Sequence, residues 1–143
     1  MASNYRELIV WQRAMALAEA AYTLAANLPD TERFGLCSQL RRAAISIPSN
    51  IAEGHERRSR ADYRRFVTIA CGSLAELETQ IELIRRLHDV NPHVIRRVID
   101  LSDETGRLLR SIERALRAPR IAEVAPEYVV PPSALSPQPS APR

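Results

Sequence analysis

The chain has no lysine. All 20 of its basic side chains are arginine, set against 17 acidic ones, for a formal net charge of +3 over 143 residues. So small a surplus does not define a nucleic-acid binder. It does leave arginine, whose planar fork grips phosphate and carboxylate, as the only cation. Glycine is scarce, with four residues, so the ordered part is expected to be regular and helical. No run approaches the ~18 consecutive apolar residues of a membrane helix. The opening Met-Ala-Ser-Asn-Tyr-Arg-Glu-Leu shows no basic segment followed by an apolar one, so no signal peptide is evident. The expected location is the cytoplasm, with no membrane partner. Cys37 and Cys71 form no Cys-x-x-Cys unit and fall within helical patterns, which predicts reduced, half-buried side chains rather than a disulfide.

Catalytic motifs are missing as well. There is no Gly-rich phosphate loop, no Gly-x-Ser-x-Gly elbow and no carboxylate pair isolated among apolar residues. His55, His88 and His93 include no pair at the i, i+4 spacing that helical zinc sites favour. Glu76, Glu78 and Glu82 read as a solvated face near Arg85 and Arg86. The expectation is a protein that is not an enzyme and that uses no cofactor and no metal.

What the chain does have is helical periodicity. Leu8, Trp11, Met15, Ala18, Tyr22 and Ala25 recur every three or four residues, which predicts a helix over Leu8 to Leu28 with that stripe facing a core. A second helix, Leu36 to Glu56, carries Cys37, Leu40, Ala44, Ile47 and Ile51. A third opens at Ser59, a capping residue with Asp62 three positions on. Its stripe is Tyr63, Phe66, Ala70, Leu74, Leu77, Ile81 and Ile84. Asn91 caps the fourth, with Pro92 at the first helical position, where a missing N–H costs nothing. Its stripe is Val94, Val98, Leu101, Thr105, Leu108, Ile112 and Leu116. From Ala118 to Arg143 there are seven prolines and no glycine, composition expected to be disordered or polyproline-like. The fold predicted is all-α: an up-down four-helix bundle over residues 1–117, followed by a disordered Pro-rich C-terminal tail over 118–143.

The stripes do not use all the apolar surface. Helix 1 has another face with Val10, Leu17, Ala21 and Leu24, helix 3 has Ile69, Leu83 and Leu87, and helix 2 has Ile45. A helix apolar on two faces needs two partners. Val10, Leu17, Leu24, Ile45, Ile69, Leu83 and Leu87 are therefore the candidate interface with a neighbouring subunit. The competing reading is one wide core that takes in both faces.

Pro48 sits near the centre of helix 2, where proline costs about 3 kcal/mol. It frees the carbonyl of Ala44, for which Ser46, Asn50 or water is a possible partner. Its kink shapes the bundle or, alternatively, builds a polar ligand site from Gln39, Asn50 and Glu53. Gly72-Ser73 in mid-helix 3 costs about 1 kcal/mol relative to alanine. Close approach of another helix would offset that; contact with a substrate is the alternative.

The stretches "LIVWQRAM" (Leu8 to Met15), "GLCSQLRRAAISIPSNIAEG" (Gly35 to Gly54) and "FVTIACGSLAELETQIELI" (Phe66 to Ile84) closely resemble one family. It is the group of four-helix-bundle proteins named after open reading frames in intervening sequences of bacterial 23S ribosomal RNA. The resemblance runs from about Leu8 to Leu116 and leaves the tail outside. A related protein is the accessory variability determinant of diversity-generating retroelements, which partners a reverse transcriptase and nucleic acid. The resemblance implies an up-down bundle assembled as a ring, typically a homopentamer, without catalytic residues. Cys37 and Cys71 depart from it, standing where other small residues are usual.

Arg57, Arg58, Arg60, Arg64 and Arg65 crowd the start of helix 3, where cations oppose the helix dipole by roughly 0.3–1 kcal/mol each. They are the candidate nucleic-acid-binding residues, for RNA or DNA. A second set, Arg107, Arg110, Arg114 and Arg117, approaches the C-terminus of helix 4, where cations are locally favoured and need no functional explanation. The functional expectation is a non-catalytic oligomeric binding or scaffolding protein, with nucleic acid and a reverse-transcriptase-type protein as candidate partners. The alternative is a protein–protein assembly module with no nucleic-acid role.

Overall fold

A computed structural model describes residues 4–119. Four helices make up the bundle: α1 Ile9–Ala26, α2 Leu36–Glu56, α3 Arg60–Leu87 and α4 Pro92–Arg117. Two single 3-10 turns, Tyr5–Glu7 and Asp30–Glu32, precede α1 and α2. No strand occurs among the described residues. Each helix packs on its neighbours in sequence, and α4 closes the square on α1. Short connections make successive helices antiparallel. Apart from Ala118 and Pro119, the tail predicted over 118–143 lies outside the described residues.

Local chemistry sets the helix ends. The Ser59 hydroxyl accepts from the Asp62 N–H at 3.2 Å, and Asn91 Oδ1 accepts from the His93 N–H at 2.8 Å just before Pro92. These are the predicted caps of α3 and α4. Helix α1 stops two residues earlier than expected: the Asn27 amide donates to the Thr23 carbonyl, and the Leu28 N–H turns back to Ala25. Leu28 is buried all the same.

The core confirms the stripes of α2 and α3 and corrects that of α1. Leu40, Ile47, Ile51, Leu77 and Ile84 are fully buried. In α1, however, Val10, Leu17 and Leu24 are the core residues, at 3%, 0% and 0% exposure. They are unavailable as the subunit interface predicted for them. Of the stripe expected to be core, Ala25 is buried and Leu8, Trp11 and Ala18 pack partly against the core, whereas Met15 and Tyr22 are 39% and 43% exposed. The two faces lie about 100° apart, one residue step, so periodicity alone does not choose between them. Packing does. Branched Val10, Leu17 and Leu24, with Ala14, Ala20 and Ala21 between them, interdigitate closely. The aromatic face keeps polar ring atoms near water.

The tightest seam joins α2 to α3. A Cβ on Gly54 would sit 2.7 Å from Phe66 Cβ and 3.2 Å from the Tyr63 ring, so only glycine fits there. Higher up, the hydroxyls of Ser46 and Ser73 share a hydrogen bond at 2.7 Å. The close approach expected at Gly72-Ser73 thus occurs at Ser73 alone. A Cβ on Gly72 would meet nothing within 4 Å.

Helix α2 continues unbroken through Pro48, which is buried. The side chain of Asn50 bonds the Ser46 carbonyl at 2.7 Å rather than that of Ala44. At one end of the bundle, His88 Nε2 meets Glu32 Oε2 at 2.7 Å and ties the α1–α2 loop to the end of α3. The hydrogen bond from His88 holds the Glu32 carboxyl below its ordinary range.

Candidate nucleic-acid interface

The opposite end of the bundle carries the arginines. Between α2 and α3 the chain reverses through Arg57, Arg58 and Ser59. Arg58 has φ 58, the only left-handed non-glycine among the described residues; such a conformation costs an ordinary side chain about 1 kcal/mol. The sharp reversal and the missing side chain of Gly54 together let the first turn of α3 lie directly on the last turn of α2. That geometry gathers Arg57, Arg58, Arg60, Arg64 and Arg65 around one corner.

Once assembled, these side chains have different roles. Arg57 Nη2 pairs with Glu53 Oε2 at 3.0 Å. Its guanidinium also stacks 5.0 Å from the centroid of the Phe66 ring, and that of Arg65 lies 4.7 Å from the same centroid. Both guanidinium groups are thus braced against one ring. Arg60 turns inward across the bundle end and donates to the carbonyls of Ala115, at 2.9 Å, and Ala118. It thereby satisfies carbonyls that the last turn of α4 leaves unpaired. Arg64 and Arg65 are exposed, and neither has a carboxylate within ion-pair distance among the described residues.

The Arg60 bridge also joins two groups that the sequence separates. It brings the start of α3 against the end of α4. Thr68 Oγ1 lies 3.0 Å from the Arg64 carbonyl and 3.1 Å from Glu113 Oε2. Glu113 in turn pairs with Arg117 at 3.6 Å. Arg114 and Arg117 thus belong to the same basic end as the α3 cluster, although local preference alone explained them in the sequence. The available signal was topological: antiparallel neighbours joined by a short loop place the beginning of one beside the end of the other. Acidic residues interrupt this end at Glu53, Glu56, Asp62 and Glu113, and Glu53 and Glu113 are engaged in the two ion pairs described.

The polar ligand site considered around Pro48 does not form. Gln39 Oε1 accepts from Arg42 at 2.6 Å, and Arg42 also reaches Glu76 on α3 at 2.9 Å. Asn50 bonds Ser46, and Glu53 bonds Arg57. The three side chains are tied into separate contacts. The acidic face of α3 divides similarly: Glu82 pairs with Arg85 and Arg86, whereas Glu78 accepts from the Ser102 hydroxyl.

Among the described residues no three His, Cys, Asp or Glu side chains gather as a metal site would require. Both cysteines are free. Burial pushes the Cys71 thiol up, and the negative charge of Glu113 adds to the effect, which disfavours the reactive thiolate. No described helix is long and apolar enough to cross a membrane.

On the outer surface, Ile45, Ile69, Leu83 and Leu87 of the candidate interface are exposed, at 46%, 41%, 43% and 61%. The last three share one face of α3 with Gly72. A separate apolar groove of roughly 650 Å³ runs between α1 and α2, lined by Tyr5, Trp11, Met15, Tyr22, Ile45 and Pro48 among others.

The family model for the 23S rRNA-intervening sequence protein matches residues 6–111. The crystal structure of a protein of unknown function from the S23 ribosomal protein family of Bacteroides thetaiotaomicron VPI-5482 is similar over 73% of this chain and 98% of its own. The two share 27% sequence identity and superpose with a TM-score of 0.67. No curated protein matches the chain.

Proposed function

The chain belongs to the 23S rRNA-intervening sequence protein family, and from that premise we propose that it is a non-catalytic, cytoplasmic, self-associating helical bundle that binds nucleic acid through its basic end. The observation that supports binding is the pairing pattern within the cluster. Arg57 is neutralised by Glu53, and Arg60 is engaged with α4. Arg64 and Arg65 have no carboxylate partner among the described residues, and Arg65 is braced on Phe66. Exposed guanidinium groups near a helix N-terminus, where backbone N–H groups already favour an anion, suit phosphate. Self-association would repeat the patch on every copy and raise a modest charge per chain into a stronger collective field.

The reading specifies how binding behaves. The ring within the arginine cluster, Phe66, is buried under Arg57 and Arg65, so it does not stack on bases and discrimination among sequences is weak. Arginine–phosphate pairs dominate, and affinity falls steeply as salt rises through counterion release. Arg64→Ser with Arg65→Ser should weaken binding to RNA or DNA and flatten the salt slope by about one unit for each arginine–phosphate pair removed. Arg57→Ser should do less, because Glu53 already occupies it. Filter binding across a salt series checks both. No retention of either nucleic acid by the wild-type protein at ~50 mM salt, where such pairs are strong, would refute the reading.

The protein–protein assembly module remains the second reading. Exposed Ile69, Leu83 and Leu87 along one face of α3, with open Gly72 between them, favour it. A chain that assembles but retains no nucleic acid would establish it in place of the first. A reverse-transcriptase-type partner belongs to the first reading only.

A further inference from the structure

The groove between α1 and α2 is an open aromatic ladder, with the Arg41 guanidinium of α2 lying 5.5 Å from the centroid of the Tyr22 ring at its far end. Trp11, Met15 and Tyr22 lie on one face of α1, with Tyr5 packed edge-on to Trp11 at 5.3 Å between ring centroids. Pro48 forms the opposite wall, and Glu19 is the one charged side chain lining it. Rings spaced along an open trough are the surface on which polyproline segments dock, because that conformation is already extended and little chain entropy is lost on binding.

The chain carries such a segment. Residues 131–142 include Pro131, Pro132, Pro137, Pro139 and Pro142, and no charged residue occurs between Tyr128 and Pro142. We propose that this Pro-rich segment of the same chain docks in the α1–α2 groove, laying its prolines over Trp11 and Tyr22. Three features favour this occupant. The first is position. Arg60 holds the carbonyls of Ala115 and Ala118, so the chain leaves α4 at the end of the bundle where α1 begins, and Tyr5 and Trp11 open the groove there. The second is reach. The bundle is about 20 Å across, two helix diameters. At about 3.1 Å per residue in the polyproline conformation, the stretch from Pro119 to Pro131 spans that distance.

The third is register. Trp11 and Tyr22 are separated by about 16 Å along α1 at 1.5 Å per residue. Pro137 and Pro142 are separated by about 16 Å in the polyproline conformation. The groove lies on the opposite side of α2 from its contact with α3. The groove lining holds none of the clustered arginines, although Arg60 sets where the chain leaves α4, and the docking goes beyond the proposed function.

Trp11 is the only tryptophan in the chain, so its fluorescence reports on the groove without a label. The test compares acrylamide quenching of the full chain with a full-chain variant in which Pro131, Pro132, Pro137, Pro139 and Pro142 are changed to serine. Docking predicts that the quenching constant rises at least about two-fold in the variant, as a covered indole becomes half-exposed. Tyr22→Ser, which removes the far platform from an exposed position, should raise it likewise while helical circular dichroism stays unchanged. Quenching equal in wild type and the proline variant would overturn the proposal. So would wild-type quenching that increases on about hundred-fold dilution. Docking within one chain does not depend on protein concentration, and such a result would assign the cover to a second copy.

Discussion

The two outward-facing grooves beside α2 contrast sharply. On the α3 side the helices close on each other: Gly54 admits Phe66, Ser46 bonds Ser73, and Arg42 reaches Glu76. On the α1 side Trp11, Met15 and Tyr22 stand away from Ile45 and Pro48 and leave an open trough. Both sides are walled by apolar and small residues, so hydrophobicity does not separate them. Side-chain volume at the crossing does. A glycine and a pair of serines let the α2 and α3 backbones approach, whereas Met15 and Tyr22 are exposed along the groove above the α1–α2 contact. The half-buried Ser46–Ser73 hydrogen bond then fixes the register of the α2–α3 seam, since a donor away from water must meet its acceptor.

The same contrast appears between the two faces of α1. Leu17 is fully buried and Met15, two residues earlier, is 39% exposed. Leu17→Ala should therefore cost about 3–5 kcal/mol, in the range for truncating a fully enclosed leucine. Met15→Ala should cost less than about 1 kcal/mol, as surface changes do. Urea denaturation of the two variants reads the rotation of α1 directly. Equal destabilisation, or a larger one at Met15, would mean that the aromatic stripe faces the core.

The seam can be attacked at Gly54. Gly54→Ala drives a methyl to 2.7 Å from Phe66 Cβ, and overpacking of this kind costs about 1–3 kcal/mol. That cost exceeds the ~1 kcal/mol of added helix propensity. The melting temperature should fall, with α2 and α3 shifting apart. A rise would show the seam to be looser than its distances indicate.

Gly72 supplies the smaller, opposite test. Its added Cβ would meet nothing within 4 Å in the single chain. Gly72→Ala should thus stabilise by up to about 1 kcal/mol through helix propensity alone. If another copy packs its backbone against this point of α3, the substitution instead weakens assembly. A melting curve recorded at two protein concentrations separates the cases, because only the second depends on concentration.

Much of this architecture was legible in the residues. Ser59 and the pair Asn91-Pro92 marked the starts of α3 and α4, because capping is local chemistry. The stripes of α2 and α3 located their buried faces, since in each the longest apolar stripe is the one that packs inward. Helix α1 was not legible in this way: its aliphatic and aromatic faces lie one residue step apart, and the choice between them depends on packing against the other helices. The role of each glycine was not legible for a related reason. Gly72 and Gly54 carry the same propensity cost, and only the tertiary crossing distinguishes the one that is needed.

The candidate site was half legible. The five arginines between Arg57 and Arg65 stood out by violating the helix-dipole preference. Their division into paired Arg57, engaged Arg60 and outward Arg64 and Arg65 needed three-dimensional partners. So did the link to Arg114 and Arg117, which arises between residues far apart in sequence, such as Thr68 and Glu113.

The claim that α3 offers a face to a second copy, while α1 turns its aliphatic face inward, is tested most directly by light scattering at micromolar concentration. The wild-type protein should show a mass several times the 16.1 kDa of one chain. Ile69→Glu should lower that mass toward a single chain without loss of helical circular dichroism. Leu17→Glu should instead unfold the bundle. A wild-type mass of one chain would contradict self-association outright.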